Sequence, residues 1–161
     1  MRIRIFARSF FEARMGTSRE PALLARFRII SINSLYPRET PPFSKGYRAG
    51  ENILVLSFDD VEYSCRNAMT ANDADQILRF ALADDCRPLL IHCTAGESRS
   101  GAVGLFLNRL LNRGALAQDD FRQFAIDYPW VAETANNYVY QMLEEAHARR
   151  LLGKLSDRNL V

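Results

Sequence analysis

The sequence predicts an α/β protein with a central, mostly parallel sheet flanked by helices. Three observations carry this reading. Short apolar runs of strand length alternate with segments of helical period through most of the 161 residues, and helical period dominates the end. The run 89–91 (Leu-Leu-Ile) follows Pro88 and is apolar at every position, as suits a strand buried on both faces. Beyond a tight loop, Val103, Phe106, Leu107, Leu110 and Leu111 recur with the spacing of one helix face.

Taken in order, residues 2–7 alternate charge with apolar side chains (Arg2, Ile3, Arg4, Ile5), the pattern of an edge strand with one solvated face. A short helix is expected over 10–15, broken by Gly16-Thr17-Ser18. Residues 25–32 alternate toward Ile29 and Ile30 and read as a second strand. A long loop follows with Pro37, Pro41, Pro42, Gly46 and Gly50; residues 36–48 are its candidate recognition segment, a plain surface crossover being the other reading. The near-continuous apolar run 53–58 predicts a buried third strand that ends in Asp59-Asp60. Thr70, with Asp73 three residues on, predicts a helix start, and Ile77, Leu78, Phe80, Ala81 and Leu82 give that helix its buried side. Gly114 is expected to end the helix after the central loop. Phe121, Phe124 and Ile126 begin a further helix cut by Tyr128-Pro129-Trp130. A last helix over about 132–152 turns Val139, Met142, Leu143 and Ala146 inward, with His147 a surface or structural residue.

At this length the chain is expected to form one domain over 1–161. With 48% hydrophobic and 25% charged residues the composition is that of a globular protein, and a formal net charge of +2 argues for neither nucleic acid nor membrane as partner. No apolar leader region and no stretch near the roughly 20 apolar residues of a membrane span is present. Three cysteines, Cys65, Cys86 and Cys93, do not make a disulfide framework, and a thiolate nucleophile favours a reducing compartment, so a cytoplasmic location is expected.

The loop after the central strand sits at a helix N-terminus, where unpaired N–H groups and the positive end of the macrodipole receive anions. Into it the sequence places the Cys93 thiol and, six residues later, the Arg99 guanidinium. A cysteine near cations at such a terminus is a thiolate nucleophile, titrating as low as about 3.5–7.5, and the planar guanidinium fork matches two oxygens of a phosphoryl group. A lone cysteine at a strand end is more often a small core residue, but His92, Gly96, Arg99 and Ser100 accompany this one at fixed spacing. Chance agreement at those five positions is roughly one in ten million per starting point, so the pattern is informative. Other loop chemistries fit poorly. Ala102-Val103 stands where a Walker A loop needs Lys-Ser/Thr, Ser100 stands where a nucleophile elbow needs its last glycine, and two histidines without a Cys-x-x-Cys pair do not suggest zinc.

His-Cys-x-x-Gly-x-x-Arg-Ser closely resembles the signature of the cysteine-dependent protein tyrosine phosphatases. The resemblance covers roughly residues 53–111 and is specific at the signature alone. It implies a protein-tyrosine-phosphatase-like fold of the compact dual-specificity size and hydrolysis of phosphate monoesters through a cysteinyl-phosphate intermediate. By that resemblance Cys93 attacks phosphorus, while Arg99 and the loop N–H groups of Thr94, Ala95, Gly96, Glu97 and Ser98 hold the equatorial oxygens. His92 supports the loop and the thiolate, and Ser100 assists departure of the thiolate in the second step. The acid is an upstream Asp: compact bacterial forms favour Asp60 over Asp59. The expected ligands are a phosphorylated protein or peptide, phosphotyrosine first with dual specificity, and phosphate or a similar oxyanion. No cofactor and no metal is implied. Alternatives are a phosphoinositide or other non-protein phosphatase, with Glu97 weighing against a polyanionic lipid substrate, a rhodanese-like or arsenate-reducing thiolate enzyme, and a non-catalytic phospho-residue binder. Cys86 is read as a bystander to oxidation of Cys93, a strand's length away.

Overall fold

A computed structural model describes residues 1–42, 52–113 and 118–158. Its elements run β1 (Ile3–Ala7), α1 (Arg8–Glu12), α2 (Glu20–Arg26), β2 (Arg28–Asn33), β3 (Ile53–Ser57), α3 (Ala71–Ala81), β4 (Leu89–Cys93), α4 (Ser98–Leu111), α5 (Gln118–Asp127), α6 (Val131–Thr134) and α7 (Asn137–Arg158). The strands form one parallel sheet in the order β1-β4-β2-β3. Parallel strands need crossovers, and these place helices on both faces.

Strand alternation sorts the core. Ile29, Ile53 and Leu90 face one side with Phe11, where side chains of α1 and α2 pack on them. Ile5, Ile30, Ile32, Leu56, Ile91 and Cys93 face the other, against residues of α3, α4, α5 and α7. In β4 and β2 every residue is buried, which fits their central places. Helix α4 is buried almost all round, including Arg99, Ser100 and Asn108, so the segment that carries the thiol loop is the axis of the helical layer.

The predicted elements appear with some shifts. Strand β1 lies at an edge, as its alternation implied, and Thr70 caps α3 in a reciprocal capping box with Asp73. The first short helix covers Arg8–Glu12 rather than 10–15. A helix the periodicity missed, α2, takes up the start of the run read as strand: Glu20 and Pro21 open it, and β2 begins only at Arg28. Strand β3, expected to be buried, is the other edge: Leu54 and Val55 are half-buried and Ser57 is exposed. An apolar run reports strand length but not place in the sheet. The last helix is two pieces, α6 and α7, parted where Ala135 turns extended (φ −62°, ψ 130°). Gly114 and positions 43–48 of the proposed recognition segment lie outside the described residues. Among the described residues no helix is long and apolar enough to cross a membrane.

Candidate active site

The site grows from the carboxyl end of β4. There the chain must turn from a fully buried strand into α4 within four residues, 94–97. Gly96 makes the turn possible: its φ is +80°, and a Cβ there would lie 2.5 Å from the Ala7 nitrogen and the Phe6 carbonyl carbon. The loop therefore presses on the backbone of β1, and the first residue of α1 also holds it through a hydrogen bond from Arg8 N–H to the Thr94 carbonyl (3.2 Å). No side chain caps the start of α4, so its first N–H groups face the loop.

Neighbouring residues on β4 point to opposite faces. Cys93 points toward α4, where its Sγ lies 3.2 Å from the Ser100 Oγ, and both residues are buried. His92 points the other way and packs on the Phe11 ring, with centroids 4.6 Å apart. Burial lowers the His92 pKa to about 4, against a backbone hydrogen bond to Cys93 that acts in the other direction, and so keeps the imidazole neutral.

Arg99 is 3% exposed and held from two sides. One terminal nitrogen donates to the Phe58 carbonyl (2.7 Å), the other to the Thr94 hydroxyl (2.9 Å). Among the described residues its Nε has no acceptor in hydrogen-bond range, and it lies 4.0 Å from Asp60 Oδ2. A guanidinium fixed in this way, with its Nε–H open beside a helix N-terminus, is arranged for a tetrahedral oxyanion.

The two aspartates, which alternation could not separate, have different surroundings. Asp59 Oδ1 accepts the N–H groups of Leu35 (2.7 Å) and Tyr36 (3.0 Å) and so pins the turn after β2. Asp60 Oδ1 accepts from the Ser98 hydroxyl (2.7 Å) and from Asn136 Nδ2 (2.8 Å), which places this carboxyl against the thiol loop.

Three further residues escaped the sequence reading. Glu39 accepts from the Thr94 hydroxyl (3.0 Å) and the Ser34 N–H (2.8 Å). Burial alone would raise its carboxyl, but those hydrogen bonds and the charges of Arg8 and Arg99 hold it below the usual carboxylate range. Arg8 reaches Glu12, Asn33, the Thr40 carbonyl and, at 3.8 Å, Glu39, and thereby joins α1, β2 and the 34–40 segment beside the loop. Asn136 precedes α7. Its place before the apolar period of that helix is an N-cap pattern, a signal that could have found it; Arg8 and Glu39 are joined across the fold, and no spacing announces them. Cys65 and Cys86 are exposed and free, and Cys86 precedes β4 while Cys93 ends it.

No protein-family model matches the sequence, and neither does any curated protein. Solved structures do match in fold. Tk-PTP in its active form aligns over 92% of this chain and 93% of its own at 21% identity (TM-score 0.50). The human tyrosine phosphatase-like serine/threonine/tyrosine-interacting protein aligns over 92% and 93% at 19% identity (TM-score 0.55). PTPMT1, solved in complex with PI(5)P, aligns over 92% and 91% at 16% identity (TM-score 0.53). The fold of this chain is that of the cysteine-dependent tyrosine phosphatases of dual-specificity size.

Two measurements test this geometry. Gly96→Ala forces a Cβ into the β1 backbone at a positive φ; the variant is expected to melt at lower temperature and to lose oxyanion binding by calorimetry, and wild-type binding would refute the close approach. His92 gives a pH signature. Its folded pKa of about 4 lies below the ordinary 6.5, so between those values the unfolded chain binds the extra proton and stability falls as pH falls. Of the stability lost between pH 7 and pH 4, about 3 kcal/mol should belong to this group, and His92→Asn should lose that much less in urea titrations across the same window.

Proposed function

From this fold and the geometry of its thiol loop, we propose that the protein is a phosphoric monoester hydrolase of the protein tyrosine phosphatase type, acting on phosphotyrosine and on shorter phosphoserine and phosphothreonine. The observation that carries the reading is the Cys93 thiol at the N-terminal end of α4, 3.2 Å from the Ser100 hydroxyl and beside the fixed Arg99.

In the first step the Cys93 thiolate attacks phosphorus in line with the ester oxygen. Charge on the equatorial oxygens is met by loop N–H groups and by Arg99, whose bonds to Phe58 and Thr94 fix it before substrate arrives. The leaving oxygen needs a proton, and Asp60 is the carboxyl beside the loop that can give it. Asp59 is occupied with the backbone of Leu35 and Tyr36 and serves the turn. In the second step water attacks the cysteinyl phosphate, Asp60 takes the water's proton, and the Ser100 hydroxyl stabilises the departing thiolate. His92, neutral and buried, supports the loop from below. Nothing in these steps calls on a metal. The substrate is a phosphorylated protein or peptide, with inorganic phosphate as product, and the exposed Glu97 disfavours a headgroup that carries additional phosphates.

Cys93→Ser should abolish turnover of an aryl phosphate while phosphate or vanadate still binds, and EDTA should change nothing; activity that survives the serine, or that the chelator removes, would sink the thiolate mechanism. Asp60→Ala should slow phosphopeptide turnover by about 10²–10⁴-fold while sparing an activated aryl phosphate more, whereas Asp59→Ala should leave that selectivity intact. A reversal between the two variants passes the acid role to Asp59. Preferential hydrolysis of a phosphoinositide without peptide activity would favour the lipid reading instead.

A further inference from the structure

We propose that Asn136 is the positioning residue of the acid: it fixes Asp60 so that Oδ1 is held by protein donors and Oδ2 carries the proton to the leaving group. This rests on the assignment of Asp60 as acid.

Asn136 is fully buried in the turn between α6 and α7. Its side-chain oxygen accepts the Val139 N–H (2.8 Å), which caps α7. A cap requires only that oxygen, and Ser, Thr or Asp would supply it equally well. The amide nitrogen is used elsewhere: it donates to Asp60 Oδ1 (2.8 Å) and to the Val61 carbonyl (3.0 Å), 76 and 75 residues earlier in the chain. Meanwhile the Asn136 main-chain N–H donates to the carbonyl of Ser98, the first residue of α4 (3.1 Å). One residue thus holds the nucleophile's helix by its backbone and the acid's segment by its side chain, which sets the separation between them.

Oδ1 of Asp60 receives two hydrogen bonds, from Asn136 and from the Ser98 hydroxyl. A proton on that oxygen would meet both donors head-on, so the carboxyl proton belongs on Oδ2, which lies 4.0 Å from Arg99 Nε. In the first step the S–P bond forms as the P–O bond breaks, the leaving oxygen takes the Oδ2 proton, and Asp60 is left as carboxylate. In the second, water's oxygen bonds phosphorus, its proton passes to Oδ2, and the S–P bond breaks to return the thiolate.

The test compares turnover of phenyl phosphate, which needs an acid, with 2,4-dinitrophenyl phosphate, which hardly does, in Asp60→Asn, Asn136→Asp, Asn136→Ser and the double variant Asp60→Asn/Asn136→Ser. Both Asn136 variants keep an oxygen to cap α7. Read as kcat/KM, which reports the first step alone and not the hydrolysis common to both esters, Asp60→Asn should lower the value for phenyl phosphate about a hundredfold or more, and each Asn136 variant at least about tenfold, with the dinitrophenyl ester slowed less than about threefold. The double variant should be no slower than Asp60→Asn, since the two act as a unit. Equal slowing of both esters by Asp60→Asn would remove Asp60 as acid. The expected selective loss in Asp60→Asn, together with Asn136 variants that slow both esters alike or neither, would overturn the positioning role alone, as would additive losses in the double variant. Should both Asn136 variants fail to fold, Ser98→Ala, which removes the other Oδ1 donor, must show the same selective loss or the claim falls.

Discussion

The site depends on one close approach, that of the thiol loop to the backbone of β1. At Gly96 the two main chains come within a distance that leaves no room for a methyl group. The contact determines where the N–H groups of residues 94–99 point, because the loop is bounded by β4 on one side, α4 on the other and β1 beneath. Strand β1 pairs with β4 over five residues, and Ala7 opposite Cys93 is the last of them, so the register of the edge strand delivers its end to the glycine. An anion cradle made of backbone must be rigid before its ligand arrives, since reorganisation would consume the electrostatic advantage it offers.

Rigidity of the loop does not by itself explain how a guanidinium can be buried at its end. An unpaired charge with 3% exposure would be strongly destabilising; hydrogen bonds to the Phe58 carbonyl and the Thr94 hydroxyl offset that cost for Arg99 without neutralising it. The Thr94 hydroxyl donates in turn to Glu39, whose carboxylate faces Arg8. Arg8 in turn balances the charge of Glu39, while Asp60 Oδ2 stands 4.0 Å from the Arg99 Nε. The same chain of contacts ties the 34–40 segment to the loop floor, so the exposed ring of Tyr36 stands on a segment fixed by Asp59 at one end and Glu39 at the other.

The features legible in the sequence were those written in local spacing. Residues 89–111 announced strand, loop and helix because burial on all sides demands an apolar run and a wide helical stripe, and Thr70 announced its helix through a capping box that spans only four residues. Helix α2 escaped because Glu20–Arg26 has few large apolar residues and shares two positions with the alternation that leads into β2. Place in the sheet escaped too: β3 and β4 carry similar apolar runs, yet one is an edge and the other a centre, and the order of strands is fixed by contacts between distant segments. Asp59 and Asp60 could not be ranked from alternation, since what distinguishes them is Leu35 and Tyr36 on one side and Ser98 and Asn136 on the other.

Likeness of fold does not choose among functions at this level of identity. The matched structures include a protein described as tyrosine phosphatase-like and interacting, and another solved with a phosphoinositide, so one scaffold carries several outcomes and the side chains of the loop must decide. On the proposed reading Cys93, Arg99 and Asp60 supply thiol, guanidinium and acid, which argues for turnover over mere capture of a phosphate. Reach then argues for breadth: Thr94, Ala95 and Glu97 are exposed although Cys93 beneath them is buried, so the cradle lies close to the surface. A short phosphoserine side chain can reach a shallow cradle that a deep cleft would reserve for phosphotyrosine. Glu97 is exposed on the same rim, and on the proposed reading its negative charge opposes a headgroup that carries additional phosphates. On the proposed reading, then, the shallow cradle and the rim charge together argue for a phosphopeptide over a polyanionic headgroup.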